Sequence, residues 1–187
     1  MFIQTESTPN PATLKFLPGQ TVLEAGTADF PTAEGAEKSP LADRIFKVHG
    51  VNGVFFGHDF VTVTKAEDAE WDHMKPAILG SIMEHFQSGK PVMLGESAAP
   101  SGHAEHSGED GEIVNQIKEL LDTRVRPAVA QDGGDITFHG FDRGVVYLHM
   151  QGACAGCPSS TITLKMGIEN LLRHYIPEVT EVRPVGV

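Results

Sequence analysis

The sequence predicts an α+β protein made of two small domains, and three observations lead to that reading. Apolar residues recur at spacings of three and four in some segments and alternate with polar ones in others, so both helices and strands are present. The alternating segments come as hairpins set between helices, which is the α+β pattern. The stretch Gly95 to Gly111 has no large apolar side chain and is rich in Gly, Ser, Ala and acidic residues, so it builds no core. We therefore expect a domain over 1–94, a flexible linker over 95–111 and a second domain over 112–187 of this 187-residue chain.

The first domain is expected in the order ββαββα. Phe2 to Glu6 and Thr13 to Leu17 read as strands joined by the turn-rich Ser7-Thr8-Pro9-Asn10-Pro11. Ser39-Pro40 supplies a cap and a first-turn proline to a helix carrying Leu41, Ile45 and Val48, which Gly50 can end. Val51 to Phe56 and Phe60 to Lys65, separated by Gly57-His58-Asp59, form a hairpin. Trp71, Met74, Ile78, Leu79, Ile82 and Phe86 then mark a closing helix to about Gln87, with Pro76 expected to kink it or delay its start.

The second domain is expected as αββα(β). Ile113, Ile117, Leu120, Leu121 and Val125 trace one helical face, and Pro127 with Asp132-Gly133-Gly134-Asp135 marks where that helix bends and stops. Ile136 to Phe141 and Val145 to Met150 are strands about the tight turn Asp142-Arg143-Gly144. In the second of them Val146, Leu148 and Met150 make one wholly apolar face. Leu164, Ile168, Leu171, Leu172 and Tyr175 define a last helix ended by Ile176-Pro177, with Val179 to Val182 as a final strand.

Composition narrows the function. Charged residues make up 21% and hydrophobic ones 40%, the balance of a globular chain. A formal net charge of -11, with Lys and Arg scattered, opposes binding to a phosphate backbone, so no nucleic-acid partner is expected. No segment has the ~20 continuous apolar residues of a membrane helix. The first residues, Met1-Phe2-Ile3-Gln4-Thr5-Glu6, resemble neither a secretory signal nor a transit peptide, which leads us to expect a cytoplasmic protein.

The chemistry is concentrated in Gly152-Ala153-Cys154-Ala155-Gly156-Cys157-Pro158-Ser159-Ser160, which holds both cysteines of the chain. A disulfide closing so small a loop would restrict the unfolded chain little, so metal binding or electron exchange is the stronger reading. Pro158 suits the first position of a helix, which puts Cys157 near the N-terminus of that helix, where backbone N–H groups favour an anion by roughly 0.3–1 kcal/mol. Metal coordination deprotonates a thiol far more effectively. Gly152 and Gly156 serve a tight turn or let the backbone approach a bulky anionic ligand, and Ser159 and Ser160 are expected to cap the helix.

A tetrahedral zinc or a cubane cluster takes four protein ligands, and one chain offers two cysteines. Histidines could complete the set, with His149 five residues before Cys154 and His139 across the hairpin, but neither has metal-site spacing. A symmetric dimer apposing two such loops supplies four thiolates from one repeated surface, and such a cluster would be surrendered easily. Cys154 and Cys157 are thus the expected ligands of a [4Fe-4S] cluster, one per homodimer, with [2Fe-2S] as the alternative form.

The cysteine motif, with Val125-Arg126-Pro127 and Asp132-Gly133-Gly134-Asp135 upstream, closely resembles the C-terminal domain of NifU-like (Nfu-type) iron-sulphur proteins. The first half resembles their N-terminal domain through Phe2 to Pro11 followed by Leu14-Lys15-Phe16. The resemblance implies a scaffold or carrier, not an enzyme, that receives a cluster from upstream assembly proteins and passes it to recipient iron-sulphur apoproteins. It gives Asp132 to Asp135 no ligand role, so a turn is expected there, and the linker histidines His103 and His106 are expected to be solvated. Two rivals stay open: a thiol-disulfide oxidoreductase, whose Cys-x-x-Cys normally follows a strand within a βαβ unit, and a zinc-binding interaction module.

Overall fold

In the computed structural model the described residues are 1–95, 103, 108, 110–155 and 158–185, with backbone alone for 158–160. Two compact units, Met1–Ser101 and Gly102–Val187, each contain a sheet and a core. Most of the stretch expected as a linker lies outside the described residues. Mixed helix and strand in both units bear out the α+β class.

In the first unit, strands β1 (Gln4–Ser7), β2 (Thr13–Leu17), β3 (Ala28–Phe30), β4 (Val51–Phe56) and β5 (Val61–Lys65) form one antiparallel sheet in the order β1-β2-β5-β4-β3. Helices α1 (Pro40–Phe46) and α2 (Trp71–Ser88) contribute Leu41, Ile45, Ile78 and Ile82, which with Phe16, Phe56, Val61 and Val63 are wholly excluded from water. The Ser39 hydroxyl caps α1 by accepting from the Ala42 amide at 3.1 Å, and it donates to the Val92 carbonyl at 2.5 Å.

The expected ββαββα order needs one correction: β3 and a 3-10 turn over Glu34–Lys38 precede α1. Three residues are too few to show a period, and β3 is secured by tertiary packing, with Phe30 meeting Phe56 edge to face at 5.4 Å. Pro76 does not delay α2, which already begins at Trp71; so early in the helix it removes a single backbone bond.

The second unit is built on β6 (Gly134–Asp142), β7 (Val145–Gly152) and β8 (Glu181–Val185). Arg143 (φ 50°) and Gly144 (φ 81°) make the two-residue turn between β6 and β7. Along β7, Val146, Leu148 and Met150 are buried while Val145, Tyr147 and His149 are half-buried, as the alternation predicts. Helix α3 (Gly111–Leu120) runs into a π-turn over Leu121–Val125 and then α4 (Arg126–Gln131). There the Arg126 amide reaches back five residues to the Leu121 carbonyl, immediately before Pro127, so the expected bend takes the form of a widened turn ahead of the residue that lacks an N–H.

The last strand lies later than the expected Val179 to Val182, and β8 pairs with β7 in parallel. Helix α5 (Pro158–Tyr175) is therefore the crossover of a β7–α5–β8 unit. The cysteine segment is the connection entering that crossover.

Candidate cluster-binding site

Cys154 follows β7 directly, after a turn in which the Ala153 amide donates to the Gly133 carbonyl at 3.1 Å and the Cys154 amide to the Gln151 carbonyl at 3.3 Å. From the first turn of α5, the Thr161 hydroxyl donates to the Cys154 carbonyl at 3.4 Å. The Gly133 carbonyl just before β6, the Gln151 carbonyl in β7 and the Thr161 hydroxyl in α5 thus fix the turn at this cysteine.

Cys154 does not lie on an exposed loop: it is 5% exposed and packs with the core of the second unit. The reason lies in β6. Gly134 pairs with Gly152, and a Cβ placed on Gly134 would fall 2.4 Å from the Cys154 Sγ and 2.9 Å from its amide nitrogen. Only a residue without a side chain leaves room for the sulphur. Burial pushes the Cys154 thiol up to about 12, and the negative charges of Asp132 and Asp135 push the same way.

Cys157 and Gly156 lie outside the described residues, as does His106. Helix α5 begins at Pro158, as the sequence predicts, and Ser159 and Ser160 fall within its first turn instead of at the cap position. His139 does not sit across the hairpin from His149: Thr137 pairs with His149, and His139 falls in an irregularity of the β6 register between Phe138 and Gly140. Among the described residues no three metal-ligating side chains cluster.

Two features were missed in the sequence. Asp135 is not a turn residue but a buried strand residue, 4% exposed, and Arg126 grips it with two hydrogen bonds of 2.9 Å from Nε and Nη2. Asp135 also accepts from the Ile136 amide at 2.9 Å, while Arg126 Nη1 reaches Asp122 at 3.0 Å. The bond to Asp135 is the largest cause holding the Arg126 guanidinium above its ordinary value.

His103, expected to be solvated, is instead tucked against β6 with its side chain 7% exposed. Its Nδ1 accepts from the Phe138 amide at 2.8 Å, so the proton of the neutral ring sits on Nε2 and is donated to Asp122 at 2.9 Å. A hydrogen-bonded path therefore runs from His103 through Asp122 and Arg126 to Asp135, whose charge is felt at Cys154.

Comparison with known proteins places both units. Residues 3–89 match the family model described as the scaffold protein Nfu/NifU N terminal, and residues 117–183 match the NifU-like domain. NifU-like protein 4, mitochondrial, of Arabidopsis thaliana is 56% identical over 181 residues, covering 96% of this chain and 64% of that protein. The NFU1 iron-sulfur cluster scaffold homolog, mitochondrial, of Homo sapiens is 55% identical over 186 residues, covering 99% of this chain and 72% of that protein. A NifU-like protein from Saccharomyces cerevisiae, solved in solution, aligns with a TM-score of 0.47 at 27% identity over 51% of this chain and 87% of that one.

The chain thus spans about two thirds of the length of these curated relatives. The expected cytoplasmic location is contradicted, because these relatives are named as mitochondrial proteins. The composition of the first residues of a sequence shorter than its relatives carries no information about compartment.

Proposed function

This chain belongs to the Nfu/NifU family, and from that premise we propose that it carries a labile [4Fe-4S] cluster as cargo, held between the Cys154-x-x-Cys157 pairs of two copies. The observation that carries this reading is the sulphur inventory: two cysteines per chain, both in one motif, where a cubane needs four thiolates. The cargo arrives from upstream assembly proteins and leaves for recipient apoproteins, so the chain acts as a carrier and not as an enzyme.

The surroundings of Cys154 suit a metal better than a free thiolate. Burial, and then the charges of Asp132 and Asp135, make the bare anion costly, whereas a metal bound at the sulphur displaces the thiol proton and offsets the thiolate charge. The motif's place at the entry of the β7–α5–β8 crossover is the context of a thiol-disulfide oxidoreductase, and that observation keeps the enzyme as a second reading. Against it stands the thiol itself, since exchange needs an accessible sulphur with a depressed pKa and Cys154 has neither.

Anaerobic reconstitution with iron and sulphide, read by absorption and Mössbauer spectroscopy, tests the proposal. The wild-type chain should acquire a [4Fe-4S] signature and restore activity to an apo-enzyme that requires one. Cys154→Ala and Cys157→Ala should each lose the stable cluster. Variants that load like wild type would refute it; insulin reduction without iron binding would favour the oxidoreductase, and a colourless zinc protein the interaction module.

A further inference from the structure

We propose that the first unit holds a binding site for a phosphate group, free or carried by a small molecule, in the cleft between α1 and the C-terminal end of α2. The cleft has a volume of about 290 Å³ and is lined by Pro40, Asp43, Arg44, Lys47, His85 and Lys90. That volume is at the low end of small-ligand clefts. Its walls bring three cations against one carboxylate, on a chain whose formal net charge is -11.

His85 is what points to a ligand. The residue is 1% exposed, and neither ring nitrogen has a hydrogen-bond partner among the described residues. A neutral imidazole owns one N–H donor and one acceptor nitrogen, and buried polar atoms are normally satisfied. Burial, followed by the charge of Arg44, lowers the His85 pKa; the Lys90 backbone, close to the ring but outside normal hydrogen-bond geometry, opposes this, and the Lys90 charge adds to the lowering. The lowered pKa favours the neutral ring, which offers its donor without a charge.

Two of the three cations already have partners, which a phosphate must displace or share. Arg44 Nη1 meets Glu84 at 2.6 Å and Lys47 Nζ meets Asp43 at 2.8 Å, both through largely solvated partners of the kind that hold weakly. Lys90 makes no ion pair among the described residues. A phosphate brings three strong acceptor oxygens and close to two charges, enough to engage the guanidinium fork, an ammonium and the imidazole N–H together. A carboxylate presents two oxygens in one plane and reaches fewer of them. A trapped water would satisfy His85 but would leave the cationic walls without a role.

The test is a titration of the whole 187-residue apo chain followed by amide and side-chain NMR. Inorganic phosphate and glycerol phosphate are compared with chloride and acetate at equal ionic strength. Saturable shifts of the His85 ring and the Arg44 Nε–H are expected with a phosphate and not with the controls. Saturation by both phosphates assigns free phosphate as a sufficient ligand, and saturation by the monoester alone assigns a phosphorylated small molecule. Arg44→Gln/Lys90→Gln should weaken binding at least about tenfold with the remaining spectrum unchanged, and His85→Phe should weaken it by removing the N–H. Shifts that never saturate, that chloride or acetate reproduce, or that survive the Arg44/Lys90 double variant would overturn the site.

Discussion

A thiol kept from water at Cys154 links its ionisation to stability. Its ordinary value is 9.0 and the fold raises it to about 12, so between those limits the unfolded chain sheds the proton first. The contribution is intact below pH 9.0 and is lost as pH climbs towards 12, by up to about 1.4 kcal/mol per pH unit. Urea denaturation of the apo chain at rising pH should show that slope, and Cys154→Ala should flatten it; equal slopes would place the thiol in water. Arg126 makes a second prediction. Arg126→Leu strands the buried Asp135 carboxylate and should cost about 3 kcal/mol, whereas Arg126→Leu/Asp135→Leu should cost less than the two single changes together. Denaturation midpoints of the three variants check this, and strict additivity would deny the coupling. The start of α5 at Pro158 was legible because a first-turn proline acts locally. The Arg126–Asp135 pair was not, since a separation of nine residues belongs to no helical or strand period and closes only when α4 packs on β6.

Among the elements, strands with a clear pattern and firm punctuation were legible to the residue: Thr13–Leu17 and Val51–Phe56 fall where alternation and flanking turns put them. What escaped was pairing. Nothing in Glu181–Val185 announces a parallel partner, and the three residues of β3 acquire strand character only from their neighbour β4. The same dependence on neighbours decides the site, because Cys154 is buried by the missing side chain of Gly134 on the adjoining strand. Gly134→Ala should therefore displace the cysteine turn while β6 and β7 stay paired. The expected outcome is a reconstituted cluster lost at least tenfold faster, with far-ultraviolet circular dichroism unchanged; wild-type retention would show that the turn has slack.

On the scale of the molecule, two units with separate cores share one chain. We propose the stretch 95–111 as the linker between them, on its lack of any large apolar side chain. The compartment was beyond the reach of composition, and the names of longer relatives corrected it. The shortage of sulphur, by contrast, follows from counting, and in the proposed function it makes assembly part of the work: with two thiols per chain, loading would join two chains and unloading would free them. Native mass spectrometry of anaerobically loaded protein measures this directly. The account predicts a species of two chains with four irons and four sulphides, reverting to single chains as the cluster is transferred. An intact four-iron cluster on one chain would contradict it.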